Sequence, residues 1–164
     1  VGIFGLGAIG KGVAKRLSGF DCTILGYDLF IDEDFCKQYN VEVCDKETIL
    51  KEADILSLHI PGNSDGSPFI GEGELQLIKD QAVLINTARA SLVDEARIVE
   101  ALSSGKLYGY GTDVFSSEPD IPYSFHDLKK AVLSPHMAAV SVEAINKMTT
   151  MAVSNLTRYF EKKE

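Results

Sequence analysis

The chain has 164 residues, 45% of them hydrophobic and 24% charged, and its formal net charge at pH 7 is −8. These fractions are ordinary for a globular protein, so they exclude a disordered or collagen-like chain and favour one domain over residues 1–164. The acidic balance disfavours nucleic-acid and membrane partners. No apolar run approaches the roughly 20 residues of a spanning helix, and the three cysteines form no CxxC pair, so a cytoplasmic protein is expected.

Short apolar runs alternate with amphipathic stretches along the chain. The runs predict strands at Val1–Leu6, Cys22–Tyr27, Val41–Val43, Ile55–Ile60, Ala82–Asn86, Leu107–Thr112 and Ala131–Ser134. Between them, helices are predicted at Ile9–Leu17, Asp32–Gln38, Lys46–Glu52, Glu72–Ile78 and from Asp94 to just before Gly105, with a closing helix after the last strand. Because parallel strands need crossover helices and are buried on both faces, the alternation predicts an α/β fold with a doubly wound parallel sheet.

A glycine-rich turn lies between the first predicted strand and the first helix. It reads Gly5-Leu6-Gly7-Ala8-Ile9-Gly10, a GxGxxG motif. The first glycine permits a tight turn, the second lets the backbone approach a pyrophosphate, and the third lets helix and strand pack closely. Backbone N–H groups at the helix start, where Ala8 and Ile9 lie, then face the phosphates together with the positive end of the helix dipole.

An acidic residue, Asp28, follows at the end of the second predicted strand. A carboxylate at this place accepts hydrogen bonds from both ribose hydroxyls of an adenosine and repels a 2′-phosphate. Turn and aspartate together predict NAD rather than NADP as the cofactor. Gly5–Lys11 also fits the GxxxxGK of a nucleotide triphosphate loop, but Gly12 stands where Ser or Thr would hold magnesium. We therefore reject a phosphate hydrolase and predict no metal site.

Three further motifs fall at or just after predicted strand ends, where ligands bind in such sheets. They are Asn86-Thr87-Ala88-Arg89, Asp113-Val114-Phe115-Ser116-Ser117-Glu118-Pro119 and Ser134-Pro135-His136-Met137-Ala138. With them the chain resembles, nearly end to end, the NAD-binding domain of the D-isomer-specific 2-hydroxyacid dehydrogenases, which include phosphoglycerate dehydrogenase-like enzymes. The resemblance implies a seven-stranded, Rossmann-like, three-layer α/β/α domain, which the family inserts into a discontinuous substrate domain; the chain is then an excised cofactor domain without that substrate domain. It also implies reversible reduction of 2-oxo acids to D-2-hydroxy acids.

Three catalytic residues follow from the resemblance. Arg89 matches the family's arginine, whose rigid fork of donors suits a planar carboxylate beside a ketone. His136 matches the acid/base histidine, which supplies a proton to the oxygen that becomes an alkoxide. Glu118 matches the glutamate that bonds the far ring nitrogen and holds the histidine's tautomer. Taken singly, Arg89 also fits a surface ion pair, His136 a residue at a helix start, and Glu118 a solvated acid in a loop.

Further cofactor contacts are implied by the same resemblance. Asp113 matches an aspartate near the nicotinamide carboxamide, and Thr87–Ala88 would line the nicotinamide pocket through the backbone. His59 and Pro61 match an HxP segment on the adenine side, although His59 also fits a packed histidine at a strand end. His126 matches no family motif and is expected at the surface.

The chain departs from the family pattern at two places. Ala90 stands where the family usually has Gly, which puts a methyl group near the substrate carboxylate. The loop Gly62–Gly71 lacks the Leu-Thr-x-x-Thr that often follows the HxP segment, with Gly66 at the place of the second threonine. Asn63 is the candidate replacement for the first threonine.

Two functions from different classes fit these residues. The leading hypothesis is an NAD-dependent 2-hydroxyacid dehydrogenase, in which case the isolated chain should bind NAD but turn over poorly without its substrate domain. The alternative is an NAD(H)-sensing binding protein like the corepressors of this family, which keep the same three catalytic residues. The identity of the 2-oxo or 2-hydroxy acid and the direction of the reaction stay open.

A homodimer is also expected, because family members commonly dimerise through this domain. The long loop and the closing helix are the candidate contacts, although the core of a monomer would need the same apolar stripe. That stripe comprises Ala144, Met148, Met151, Ala152, Asn155, Leu156 and Tyr159.

Overall fold

A computed structural model describes residues 1–126 and 128–161 of the chain. The strands are β1 (Gly2–Phe4), β2 (Ile24–Tyr27), β3 (Val41–Val43), β4 (Ile55–Leu58), β5 (Ala82–Asn86), β6 (Leu107–Thr112) and β7 (Ala131–Leu133). The helices are α1 (Ala8–Leu17), α2 (Glu33–Gln38), α3 (Lys46–Glu52), α4 (Glu72–Leu77), α5 (Glu95–Ser104) and α6 (Val142–Glu161), with 3-10 turns at Ala90–Leu92 and Tyr123–Phe125.

The seven strands form one all-parallel sheet in the order β3-β2-β1-β4-β5-β6-β7. The chain first winds outward from β1 to β3, then returns to β4 beside β1 and winds the other way. This order confirms the predicted doubly wound, Rossmann-like fold. The reversal between β1 and β4 places a crevice at the carboxyl ends of these two strands, where such sheets bind ligands.

The predicted elements are all present, but several are shorter than predicted. β1 stops before Leu6 because Gly5, at φ +97°, turns the chain out of the sheet. β2 begins at Ile24 rather than Cys22, because the Cys22 N–H bonds to the Phe20 carbonyl 2.6 Å away in a tight turn. β4 and β7 end one or two residues before their predicted ends, where the chain leaves the sheet.

Helix ends follow capping chemistry. Asp32 and Asp94, predicted as first residues of helices, are instead N-caps whose carboxylates accept the N–H groups of Phe35 and Arg97. α5 ends just before Gly105, as predicted, and Gly105 caps it in the left-handed conformation at φ +81°.

Two apolar clusters lie on opposite faces of the sheet, because the consecutive residues Ile3 and Phe4 of β1 point in opposite directions. Ile3 packs with Ala14 of α1 and Cys36 of α2 in the smaller cluster. Phe4 belongs to the larger cluster, to which α3, α4 and α5 contribute Ile49, Leu50, Leu75, Ile98, Ala101 and Leu102. The three layers of the predicted α/β/α arrangement are therefore present.

The face that carries Ile3 is covered around β1 and β2 and becomes exposed toward β7. Across the sheet it continues through Ser57, Ile85 and Gly111 to Val132. Ser57 is buried, Ile85 and Gly111 are half-buried, and Val132 is 76% exposed. None of the residues of α6 is buried, so its apolar stripe is not part of the core of this chain. No helix within the described residues is long and apolar enough to cross a membrane.

Candidate cofactor and substrate site

Two glycines of the turn between β1 and α1 differ in the space around them. A Cβ added at Gly7 would meet no atom within 4 Å, so this stretch of backbone is free to approach a ligand. A Cβ at Gly10 would lie 1.8 Å from the Gly5 carbonyl oxygen, so only glycine lets α1 pack on the turn. Ala8 and Ile9 begin α1 at the surface, and its first turn contains no acidic residue that would compete with a phosphate. These features fit a dinucleotide.

Asp28 closes the crevice at the end of β2. One carboxylate oxygen accepts the Leu6 N–H at 2.6 Å, and the other accepts the Phe30 N–H at 3.0 Å. Asp28 is therefore tied to the glycine turn itself. A cleft of about 610 Å³ opens beside it, and its lining includes five of the predicted cofactor residues: Gly5, Gly7, Asp28, His59 and Pro61.

His59 lies just after β4 in this cleft. Its Nε2 is 2.9 Å from the hydroxyl oxygen of Ser57. Burial lowers the pKa of His59 from its ordinary 6.5, so the ring is neutral at pH 7. The ring is thus both packed at a strand end and exposed to the cleft, and the two interpretations offered by the sequence are compatible.

His136 and Glu118 meet at the carboxyl ends of β6 and β7. His136 Nδ1 and Glu118 Oε2 are 2.8 Å apart, although 18 residues separate them in the chain. The second carboxylate oxygen, Oε1, accepts the Phe115 N–H at 2.9 Å. The hydrogen bonds from His136 and from Phe115 lower the pKa of Glu118 below its ordinary 4.5, so it is ionised at neutral pH. The His136 side chain is 54% exposed and so accessible to a ligand.

The turn that carries His136 is fastened to Asp113, directly after β6. Asp113 is 3% exposed, and it accepts hydrogen bonds from the Ser134 hydroxyl at 2.6 Å and from the N–H groups of Met137 and Ala138 at 2.8 Å each. Burial acts to raise the pKa of Asp113, but these hydrogen bonds outweigh it and lower the pKa. His136 itself has φ +51°, a left-handed conformation that is costly for a residue with a side chain. The Asp113 contacts help to hold it there.

Arg89 lies three residues past the end of β5, on a turn shaped by Asn86. The buried Asn86 side chain donates from Nδ2 to the Arg89 carbonyl at 2.9 Å and accepts the Ala88 N–H at 3.1 Å. The guanidinium is exposed and donates to the Ala88 carbonyl at 2.6 Å. Among the described residues Arg89 forms no ion pair. It is therefore not the surface ion-pair partner that the sequence also allowed.

The two departures from the family pattern fit the backbone without strain. Ala90 begins the 3-10 turn after Arg89, and its φ is not positive, so a side chain causes no backbone strain there. In the loop Gly62–Gly71, the Asn63 side chain donates to the Ser67 carbonyl at 2.9 Å and so braces the loop internally. His126 is exposed, as expected, with its ring 5.1 Å from that of Tyr123.

The family model for the "D-isomer specific 2-hydroxyacid dehydrogenase, NAD binding domain" matches residues 1–138. The chain belongs to this family. It is 40% identical over 160 residues to a glyoxylate reductase of Korarchaeum cryptofilum, an alignment that covers 97% of this chain and 48% of that protein. The chain thus spans about half the length of the curated relatives that it matches.

Solved structures agree with the assignment of this NAD-binding domain. A glyoxylate reductase from Paecilomyes thermophila superposes with a TM-score of 0.91 at 32% identity, over 99% of this chain and 49% of that one. The NAD-complexed D-isomer specific 2-hydroxyacid dehydrogenase from Lactobacillus delbrueckii ssp. bulgaricus superposes with a TM-score of 0.89 at 29% identity, over 98% of this chain and 52% of that one. The predicted family, fold and cofactor are confirmed.

Within this domain, several residues that hydrogen-bond to the predicted site residues or their loops could not be recognised from the sequence. Asn86, Ser116 and Ser134 lie inside the motifs, but the motifs predict no role for them. Glu95 lies outside these motifs, yet both of its carboxylate oxygens accept hydrogen bonds from Ser116. The available signal was weak, because an acidic residue in the first turn of a helix is already explained by the helix dipole.

Proposed function

We propose that this chain is the cofactor-binding half of an NAD-dependent D-2-hydroxyacid dehydrogenase, with Arg89, Glu118 and His136 as its catalytic residues. The observation that carries the proposal is the 2.8 Å contact between His136 Nδ1 and Glu118 Oε2 at the carboxyl edge of the sheet. A paired histidine and carboxylate in a domain of this family is the arrangement that acid/base chemistry on a hydroxyl or carbonyl oxygen requires.

NAD is held along the crevice in this proposal. The open backbone at Gly7, with Ala8 and Ile9 at the start of α1, receives the pyrophosphate. Asp28 accepts the ribose hydroxyls, and His59 and Pro61 line the adenine side of the cleft. Thr87, Ala88 and Asp113 lie at the nicotinamide end. When bound, the reduced cofactor supplies the hydride.

The proton comes from His136. Glu118 occupies Nδ1, which leaves Nε2 to donate a proton to the substrate oxygen during reduction and to recover it during oxidation. Because Glu118 is ionised and close, it stabilises the imidazolium and fixes the orientation of the ring. Glu118 therefore acts on the histidine while His136 acts on the substrate.

Arg89 binds the 2-oxo acid. Its exposed guanidinium forms no ion pair among the described residues, so its charge is available to the substrate carboxylate. Two of the relatives described above are glyoxylate reductases, so glyoxylate is the first 2-oxo acid to test.

The assembly and location of the whole protein are also proposals. We propose a cytoplasmic homodimer that works on a small-molecule acid and binds neither nucleic acid nor membrane. The net charge of −8 disfavours binding to nucleic acid or membranes. The exposed apolar stripe of α6 supports a contact with a second copy of the chain.

The test is NADH and NADPH oxidation by the full-length protein over a panel of 2-oxo acids that begins with glyoxylate. Turnover of one acid with NADH, and weaker turnover with NADPH, is the expected result. Tight NADH binding without turnover of any acid would favour the NAD(H)-sensing alternative. Assayed by itself, the 164-residue chain is expected to bind NADH and to show little turnover.

A further inference from the structure

Glu95, in the first turn of α5, makes a two-point contact with the loop that follows β6. Its Oε1 accepts the Ser116 N–H at 2.9 Å, and its Oε2 accepts the Ser116 hydroxyl at 2.5 Å. Helix capping does not account for this contact, because Asp94 already caps α5 by accepting the Arg97 N–H at 3.2 Å. The Glu95 carboxylate is therefore committed to the loop.

The loop that Glu95 holds also carries Glu118. Phe115 immediately precedes Ser116, its side chain is buried, and its N–H donates to Glu118 Oε1 at 2.9 Å. A shift of Ser116 would move this N–H and with it the carboxylate that holds His136. The contacts thus run without a break from Glu95 through Ser116 and Phe115 to Glu118 and His136.

Glu95 also belongs to the segment that carries Arg89. The 3-10 turn Ala90–Leu92 connects Arg89 to α5, and buried Leu92 and Ile98 fix this segment to the core. A cleft of about 620 Å³ separates the segment from the loop after β6, and its walls include Ala90, Ser91, Asp94, Glu95, Phe115 and Ser116. The contact between Glu95 and Ser116 bridges the two walls.

We propose that Glu95 is a positioning residue, which acts through Ser116 to set the distance between Arg89 and the His136–Glu118 pair. A substrate whose carboxylate is held by Arg89 must present its oxygen to His136, so this distance decides whether the proton is transferred. The inference rests on the proposed function. It adds a residue that touches neither substrate nor cofactor.

The test compares kcat, KM for the 2-oxo acid and the Kd of NADH in variants of the full-length protein. Glu95→Gln replaces one acceptor by a donor that faces Ser116, and it is expected to lower kcat about tenfold. The Kd of NADH should stay within about twofold, because the glycine turn follows β1, whereas the Ser116 loop follows β6, three strands away in the sheet. Glu100→Gln is the matched control, since it removes the same charge from an exposed position of α5 that pairs with Arg97.

Ser116 variants separate positioning from general stability. Ser116→Thr keeps both donors and should retain kcat, whereas Ser116→Ala keeps only the N–H and should lower kcat less than Glu95→Gln does. The effects of Glu95→Gln and Ser116→Ala should be less than additive, because both act on one contact.

Equal kcat values for Glu95→Gln and Glu100→Gln would overturn the inference while leaving the proposed function in place. Fully additive effects, or parallel losses of kcat and NADH affinity, would also overturn it. A wild-type protein that turns over no 2-oxo acid would instead overturn the proposed function.

Discussion

The site around β1 and β2 and the site around β5, β6 and β7 are built from different kinds of features. Around β1 and β2 the decisive features are glycines and an exposed helix start: a Cβ at Gly7 would meet no atom within 4 Å, whereas a Cβ at Gly10 would clash with the Gly5 carbonyl oxygen. Around β5, β6 and β7 the decisive features are side chains held by other side chains, such as His136 by Glu118. Substitutions at the glycine turn or Asp28 should therefore change cofactor affinity, and substitutions of Arg89, Glu118 or His136 should change turnover.

Arg89→Lys should give a large loss that is confined to the catalytic end. Lysine keeps the charge but loses the planar fork, so kcat/KM for the 2-oxo acid should fall by about 10²–10³. NADH affinity should not change, and Arg97→Lys on the surface of α5 is the matched control. A loss of NADH affinity as large as the loss of kcat/KM would break the separation of the two ends.

Two glycine variants probe the cofactor end. Gly7→Ala should fold normally, because no atom lies within 4 Å of its new Cβ, yet weaken NADH binding by about 10–100-fold as the methyl group meets the pyrophosphate. Gly10→Ala should instead destabilise the fold by about 1–3 kcal/mol, because its Cβ falls 1.8 Å from the Gly5 carbonyl oxygen. Calorimetric titration and thermal unfolding distinguish these two results. Equal stability of the two variants would contradict the account.

Asp28→Ala tests whether this carboxylate selects NADH over NADPH. Removing the carboxylate should weaken NADH binding about tenfold and reduce the preference over NADPH, because the 2′-phosphate is no longer repelled. Fluorescence titration with both cofactors measures the change, and Asp34→Ala on exposed α2 removes the same charge nearby as a control. An unchanged preference for NADH would show that Asp28 does not face the ribose.

The contribution of Glu118 to the stability of the fold should depend on pH. Hydrogen bonds from His136 and Phe115 lower the pKa of Glu118 below 4.5, so its contribution to stability is present above that pH. The contribution is lost as the pH falls through the lowered pKa. The difference in Tm between wild type and Glu118→Gln should thus be larger at pH 7 than at pH 3. In a His136→Ala background the difference should shrink, and a difference independent of pH would contradict the assignment.

The fold and the glycine turn could be predicted because their signals are local. Alternating apolar runs specify parallel strands, and the φ of Gly5 and the packing of Gly10 are consequences of a six-residue motif. The Glu118–His136 pair was also anticipated, but only through the resemblance to a family. Nothing in the spacing of these two residues indicates a contact.

The supporting contacts could not be predicted, because they join distant parts of the chain. Ser134 meets Asp113, and Ser116 meets Glu95, each across 21 residues. The turn that holds His136 at φ +51° is bonded to Asp113 through Ser134, Met137 and Ala138, which no local pattern around His136 indicates. For α6 the amphipathic pattern predicted the helix correctly, but periodicity alone does not say what covers an apolar stripe.

The role of His136 as the acid/base is tested by measuring kcat with the preferred 2-oxo acid and the Kd of NADH in the same His136→Ala protein. We predict a fall in kcat of about 10²–10⁴ with an unchanged Kd, whereas His126→Ala, at an exposed histidine, changes neither. Retention of wild-type kcat in His136→Ala would contradict the assignment of His136 as the acid/base and with it the division of work between the two ends of the sheet.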